Sequence, residues 1–139
     1  MKKYINISFI YAIAAIACGV FYREFTKFTG FSGRTTLAFM HLHLFVLGTV
    51  MFLLVALFAK QTGLTDQRSF RTFMVLYNIG LPLMAIMFLV RGIFQVLGTA
   101  LTSGASAAIS GVAGITHTAL TAALIFFFIG LRKCAEQRG

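Results

Sequence analysis

Carboxylates are nearly missing from this chain: Glu24, Asp66 and Glu136 are the only three among 139 residues. Acid–base hydrolysis by a carboxylate pair, or a Ser-His-acid relay, therefore has almost nothing to draw on. No Gly-rich phosphate-binding loop is present either. Cysteine is scarce, with Cys18 and Cys134 alone, and neither sits in a Cys-x-x-Cys-His motif, which excludes covalent attachment of a c-type haem. Charged residues make up 11% of the chain, where soluble domains carry about 25%.

What fills the space instead is apolar sequence in long runs. A spanning helix needs about 20 mostly apolar residues, and four stretches qualify, roughly 4–22, 36–59, 72–97 and 111–131. The expected fold is all-α: one integral-membrane domain over residues 1–139, built as an antiparallel up-down-up-down four-helix bundle because the connections are short. Residues 4–22 follow a basic start and resemble a secretory leader. The run continues through Val20, Phe21 and Tyr22, so it is expected to remain as a helix.

The formal net charge of +9 would suggest nucleic acid in a soluble protein, but its placement argues otherwise. Lys2, Lys3, Lys60, Arg68, Arg71, Arg132, Lys133 and Arg138 fall on one side of the expected topology, against Arg23, Lys27 and Arg34 on the other. The positive-inside rule then places both termini in the cytoplasm. The two cysteines fall at opposite faces and are not expected to pair. Residues 23–35 mix these cations with Phe25, Phe28 and Phe31 and read as an interfacial strip. Residues 98–110, almost all Gly, Ala, Ser and Thr, favour either flexibility, as in a mobile flap, or close packing. Gly111 and Gly114 then open the fourth helix with room for a neighbouring backbone. Pro82 removes one backbone bond from the third helix and is expected to kink it beside Tyr77 and Asn78.

Against this background three histidines stand out: His41, His43 and His117. A polar ring inside an apolar segment is costly and tends to mark function. At 1.5 Å per residue, His41 and His43 lie roughly 28 and 25 Å from Lys60, and His117 lies roughly 22 Å from Arg132. All three thus share the outer leaflet, with helices two and four expected to face one another across the core. His41 and His43 are roughly 200° apart around their helix, so only one can face a shared ligand. Depth favours His43. Gly48, on nearly the same face as His41, favours His41 by leaving room for a flat macrocycle, and on balance His41 is placed marginally ahead. Met87 lies at the same depth, although methionines in such bundles mostly fill space. Arg91 is a second anomaly, since a membrane arginine needs an anion or a route to water. Haem propionates beside Arg91, Arg34 or Arg23 are one answer; snorkelling to the headgroups is the other.

The stretch from His41 through His43 to Gly48 (His-Leu-His-Leu-Phe-Val-Leu-Gly), with Ile115, Thr116, His117, Thr118 and the four-segment layout, resembles a family of small bacterial inner-membrane proteins classed as a domain of unknown function. The resemblance covers nearly the whole chain and implies no activity. More loosely, inward histidines in an apolar bundle are similar to membrane b-type cytochromes, where three histidines imply at most one bis-histidine haem.

The leading expectation is a haem b protein with His117 and one of His41 or His43 as axial ligands, serving electron transfer, haem handling or gas sensing. Its partners would be the lipid bilayer, a redox or haem-delivery protein, and a second copy of the chain. Two alternatives stay open. One is a copper or zinc site formed by His41, His43 and His117; the other is a cofactor-free transporter or structural subunit in which the imidazoles bond backbone carbonyls.

Overall fold

In the computed structural model, which describes residues 1–137, every regular element is helical. Arg138, counted among the cations above, lies outside the described residues. Four helices are long and apolar enough to cross a membrane: α1 (Lys2–Phe28), α2 (Leu37–Gln61), α3 (Arg68–Leu97) and α4 (Ser103–Glu136). A short 3₁₀ turn, Leu64–Asp66, joins α2 to α3.

Two of these boundaries correct the sequence reading. The strip at 23–35 is helical as far as Phe28, because Arg23, Glu24 and Lys27 support a helix as readily as apolar residues do. The supposed flap at 98–110 is mostly the first turns of α4. Gly98 ends α3 in the left-handed conformation (φ 65°), and the Thr102 side chain accepts from Ala105 N to start the next helix. The Ala and Ser residues that follow are compatible with a helix, and apolar length alone could not reveal it. Pro82 lies inside α3, which continues through it.

An aromatic ladder joins all four helices at one end. Tyr11 of α1 stacks on Phe52 of α2 (ring centroids 5.6 Å apart), and Phe52 meets Tyr77 of α3 edge-on at 5.9 Å. Phe73 packs on Tyr77 and on Phe127 of α4, both at 4.9 Å. Each such pair contributes about 0.5–1.5 kcal/mol beyond the apolar area it buries. Phe58 of α2 also reaches Phe127, at 6.3 Å.

Elsewhere α4 leans on α3 alone. Gly80 of α3 lets Leu120 and the Thr116 carbonyl come close, and Thr116, Leu120, Ala123 and Phe127 are buried along that seam. Helices two and four therefore do not face each other across a shared core, as had been expected; α3 lies between them. Gly111 and Gly114 have no neighbour within 4 Å of a would-be Cβ, so they are not close-packing positions here.

The middle of α2 widens into a π-helical segment, Leu44–Val50. Widening weakens the regular carbonyl pairing, and neighbouring side chains supply donors. Tyr77 Oη donates to Leu47 O at 2.9 Å and Ser8 Oγ donates to Thr49 O at 2.8 Å. Such segments are frequent near functional sites, and this one begins directly after His43.

Candidate functional site

His43 and His117 adopt the same posture on different helices. In each, Nδ1 lies 2.8 Å from the carbonyl four residues earlier, Phe39 O for His43 and Ala113 O for His117. A carbonyl only accepts, so each Nδ1 carries the proton and donates it. In the neutral ring that leaves Nε2 as a free lone pair. An imidazole that binds a metal or haem iron through Nε2 is held in this way, with the other nitrogen donating to a fixed acceptor.

Both rings touch the same third residue, Phe88 of α3. His43 meets it edge-on with centroids 5.0 Å apart, and His117 does so at 6.3 Å. His43 is half-buried and His117 exposed. Both imidazoles lie against Phe88, and the surface over that ring, between the two helices that carry them, is the candidate groove.

The groove is braced from outside. Thr36 Oγ1 donates to Phe88 O at 2.8 Å, Thr35 Oγ1 donates to Gly92 O at 3.1 Å, and Thr36 N donates to Gln95 Oε1 at 2.8 Å. These bonds tie the start of α2, which carries His43, to the turn of α3 that carries Phe88. Sequence reasoning passed over Phe88 because an aromatic at helical spacing usually reads as core. The available signal was its place one turn before Arg91, at the depth of the histidines.

A family model described as "Protein of unknown function (DUF2871)" matches residues 1–134. The chain belongs to that family. No curated protein and no solved structure gave a match, so the looser likeness to b-type cytochromes draws nothing from these comparisons.

The remaining predicted residues of this DUF2871 member divide between the groove and other places. Arg91 Nη2 donates to Ser110 Oγ at 2.7 Å and to Ser106 O at 3.2 Å. It thus clamps α3 to α4 one turn beyond Phe88, and both bonds run through Nη2, leaving Nε and Nη1 free for a further acceptor. His41 points the other way, towards α1: its ring lies near-parallel to Tyr22 at 6.4 Å, and Gly19 sits against it. Of the two histidines of α2, His43 is thus the one that shares a contact residue with His117, while His41, placed marginally ahead from the sequence, packs against α1. Gly48 is a packing position. A Cβ there would lie 2.5 Å from Tyr11 Cγ, so the space assigned to a macrocycle is filled by α1. Arg34 borders a separate recess with Tyr22, Phe39 and Gln95. Arg23 pairs with Glu24 at 3.8 Å, both largely exposed.

The three imidazoles are not brought together. Among the described residues no three His, Cys, Asp or Glu side chains gather as a metal-binding group. The reason is the one available from helix geometry: residues two apart on α2 face roughly opposite ways.

Proposed function

We propose that this is a multi-pass protein of the bacterial inner membrane that holds one b-type haem between His43 and His117 and serves electron transfer. The observation that carries this reading is the shared posture of the two imidazoles, each with Nδ1 tied to its own helix and Nε2 free beside Phe88. The donor set suits the group: two neutral imidazoles, an apolar setting, and an arginine with spare donors for a carboxylate. Haem ligated by two histidines supplies a reversible one-electron couple whose potential is set by its axial ligands and its burial.

The protein's own part is positional. Phe39 O and Ala113 O fix the ring tautomers, and the Thr35 and Thr36 bonds set the height of Phe88 against His43. Phe88, in contact with both imidazoles, would cover one side of a haem held between them. Arg91, already held by two α4 oxygens, offers its remaining N–H groups to a propionate at the groove's end. If His43 and His117 both held the iron, the chain would leave no place on it for a diatomic gas, which favours electron transfer over sensing.

The reading includes an antiparallel, up-down-up-down order. It is supported by the pairing of Tyr11 with Gly48 and of Gly19 with His41, in which advance along α1 matches retreat along α2. Together with the cation asymmetry it supports a topology with both termini in the cytoplasm. Reporter tags at either terminus should be protected from an impermeant label in intact cells; labelling of the C-terminal tag would remove the shared outer-leaflet depth of the histidines.

The proposal is tested by haem content. Protein purified from haem-replete cells should carry one haem b per chain by pyridine haemochrome assay. A colourless preparation that also fails to bind added haemin would exclude the reading.

A further inference from the structure

His41 is unlike the other two histidines. It makes no hydrogen bond through either nitrogen among the described residues, and its Nδ1 is buried without a partner. A polar ring in apolar surroundings with nothing to bond is costly. Its other side lines a recess of about 340 Å³, bounded by Ile16, Gly19, Val20, Leu42 and Phe45, in which His41 is the only polar side chain.

A second recess, of about 410 Å³, follows along the same seam towards the α1–α2 connection. Tyr22, Thr36, Ala38, Phe39 and, from α3, Gln95 form its walls, and Arg34 stands in its rim. Ala38, His41 or Leu42, and Phe45 are spaced as one face of α2, so the two recesses, with no lining residue in common, follow one another along that helix. From the loop inward they offer a cation, then an imidazole, then purely apolar wall. The cation has no carboxylate to meet: Glu24, the only acid near that end of the chain, is engaged with Arg23.

We propose that the α1–α2 seam is a binding site for one anionic phospholipid. Its phosphate lies at Arg34, an ester or phosphate oxygen accepts a hydrogen bond from His41 Nε2, the ring nitrogen that is not sealed within the protein, and one acyl chain runs along Ile16, Val20, Leu42 and Phe45. Charge complementarity selects this occupant: a phosphate supplies the anion that Arg34 lacks, and only an amphiphile matches the change from cation to apolar wall along one seam. The site is separate from the His43–His117 groove and does not depend on haem.

The test is native mass spectrometry of the full chain with phosphatidylglycerol, phosphatidylcholine or inorganic phosphate as probe. Phosphatidylglycerol should be retained in preference to phosphatidylcholine, with one molecule bound most tightly. Arg34→Gln and His41→Leu should each weaken that retention about tenfold, the loss expected for one charge-assisted contact. His41→Gln, which keeps a donor, should retain most of it, and Arg71→Gln should change nothing. Equal retention of the two lipids, or full retention by both Arg34→Gln and His41→Leu, would overturn the proposal. So would displacement of phosphatidylglycerol by an equal concentration of inorganic phosphate, which would make this a free-anion site. Haem content of His41→Leu should stay at the wild-type level, so failure here and failure of the haem reading are told apart.

Discussion

Replacing His117 by alanine should remove the haem spectrum, and replacing His43 should do the same, while His41→Ala leaves it intact. On the proposed reading each of the first two changes deletes one of the two imidazoles that hold the iron. α4 has no second imidazole to substitute, and the other imidazole of α2 faces α1. A haem held by one remaining histidine becomes five-coordinate and dissociates readily, so a loss of at least about tenfold in occupancy is expected. The pattern across the three variants is more informative than any single one. Equal losses at His41 and His43 would point to a general effect on folding, and loss at His41 alone would move the site to the α1–α2 seam. Phe88→Ala should have an intermediate effect, because it opens the groove to water and leaves both ligands in place.

Much of that site was legible before the fold was known. Histidine is rare here and carboxylates rarer, so the polar residues within apolar runs selected themselves. Counting 1.5 Å per residue from the cations brought His43 and His117 to one depth, and the two do share a contact with Phe88. The 200° separation of His41 and His43 was also readable, since it follows from helix geometry alone. Which of the pair lies against Phe88 was not, because that depends on the rotation of α2 about its own axis. Rotation is set by packing: Gly48 against Tyr11 and Gly92 against Leu37 fix which face of α2 is inward. The clue taken from Gly48 was sound in its physics, since a small residue does admit a flat ring. The ring it admits is that of Tyr11.

The long helices were legible for the same reason that their ends were not. Apolar length marks the part of a helix that must leave water, and it is silent about turns beyond. The first turns of α4, with Thr102 as cap and Arg91 reaching Ser106 and Ser110, are composed of residues equally suited to a loop. The π-helical segment of α2 was invisible as well. It depends on Ser8 and Tyr77 arriving from other helices to bond Thr49 O and Leu47 O.

Those packing glycines give the second large effect. A Cβ on Gly92 would lie 2.5 Å from Leu37 Cγ and 2.8 Å from Leu37 N. The second of these is backbone and cannot turn aside, so α2 and α3 must separate. Gly92→Ala should destabilise the protein by about 3 kcal/mol, the upper part of the usual range for overpacking. It should also lower haem occupancy, because the same displacement breaks the Thr35 and Thr36 bonds that set Phe88 against His43. Gly111→Ala and Gly114→Ala meet no atom within 4 Å and replace a poor helix former by a good one, so they should be neutral or stabilising by up to about 1 kcal/mol. Thermal unfolding in detergent, followed by circular dichroism, distinguishes the two classes. A Gly92→Ala protein as stable as the parent would contradict the close approach of the two helices.

The most direct test of the account is the coordination state of the iron in the wild-type protein, read by electron paramagnetic resonance of the ferric form and by the absorption spectrum after reduction. If His43 and His117 bind one haem together, the ferric iron should be low-spin with two imidazole ligands. The reduced protein should then show sharp visible bands that carbon monoxide does not shift. A high-spin signal with ready carbon monoxide binding would mean that only one of the two histidines is a ligand, and would contradict the claim that His43 and His117 hold one haem together.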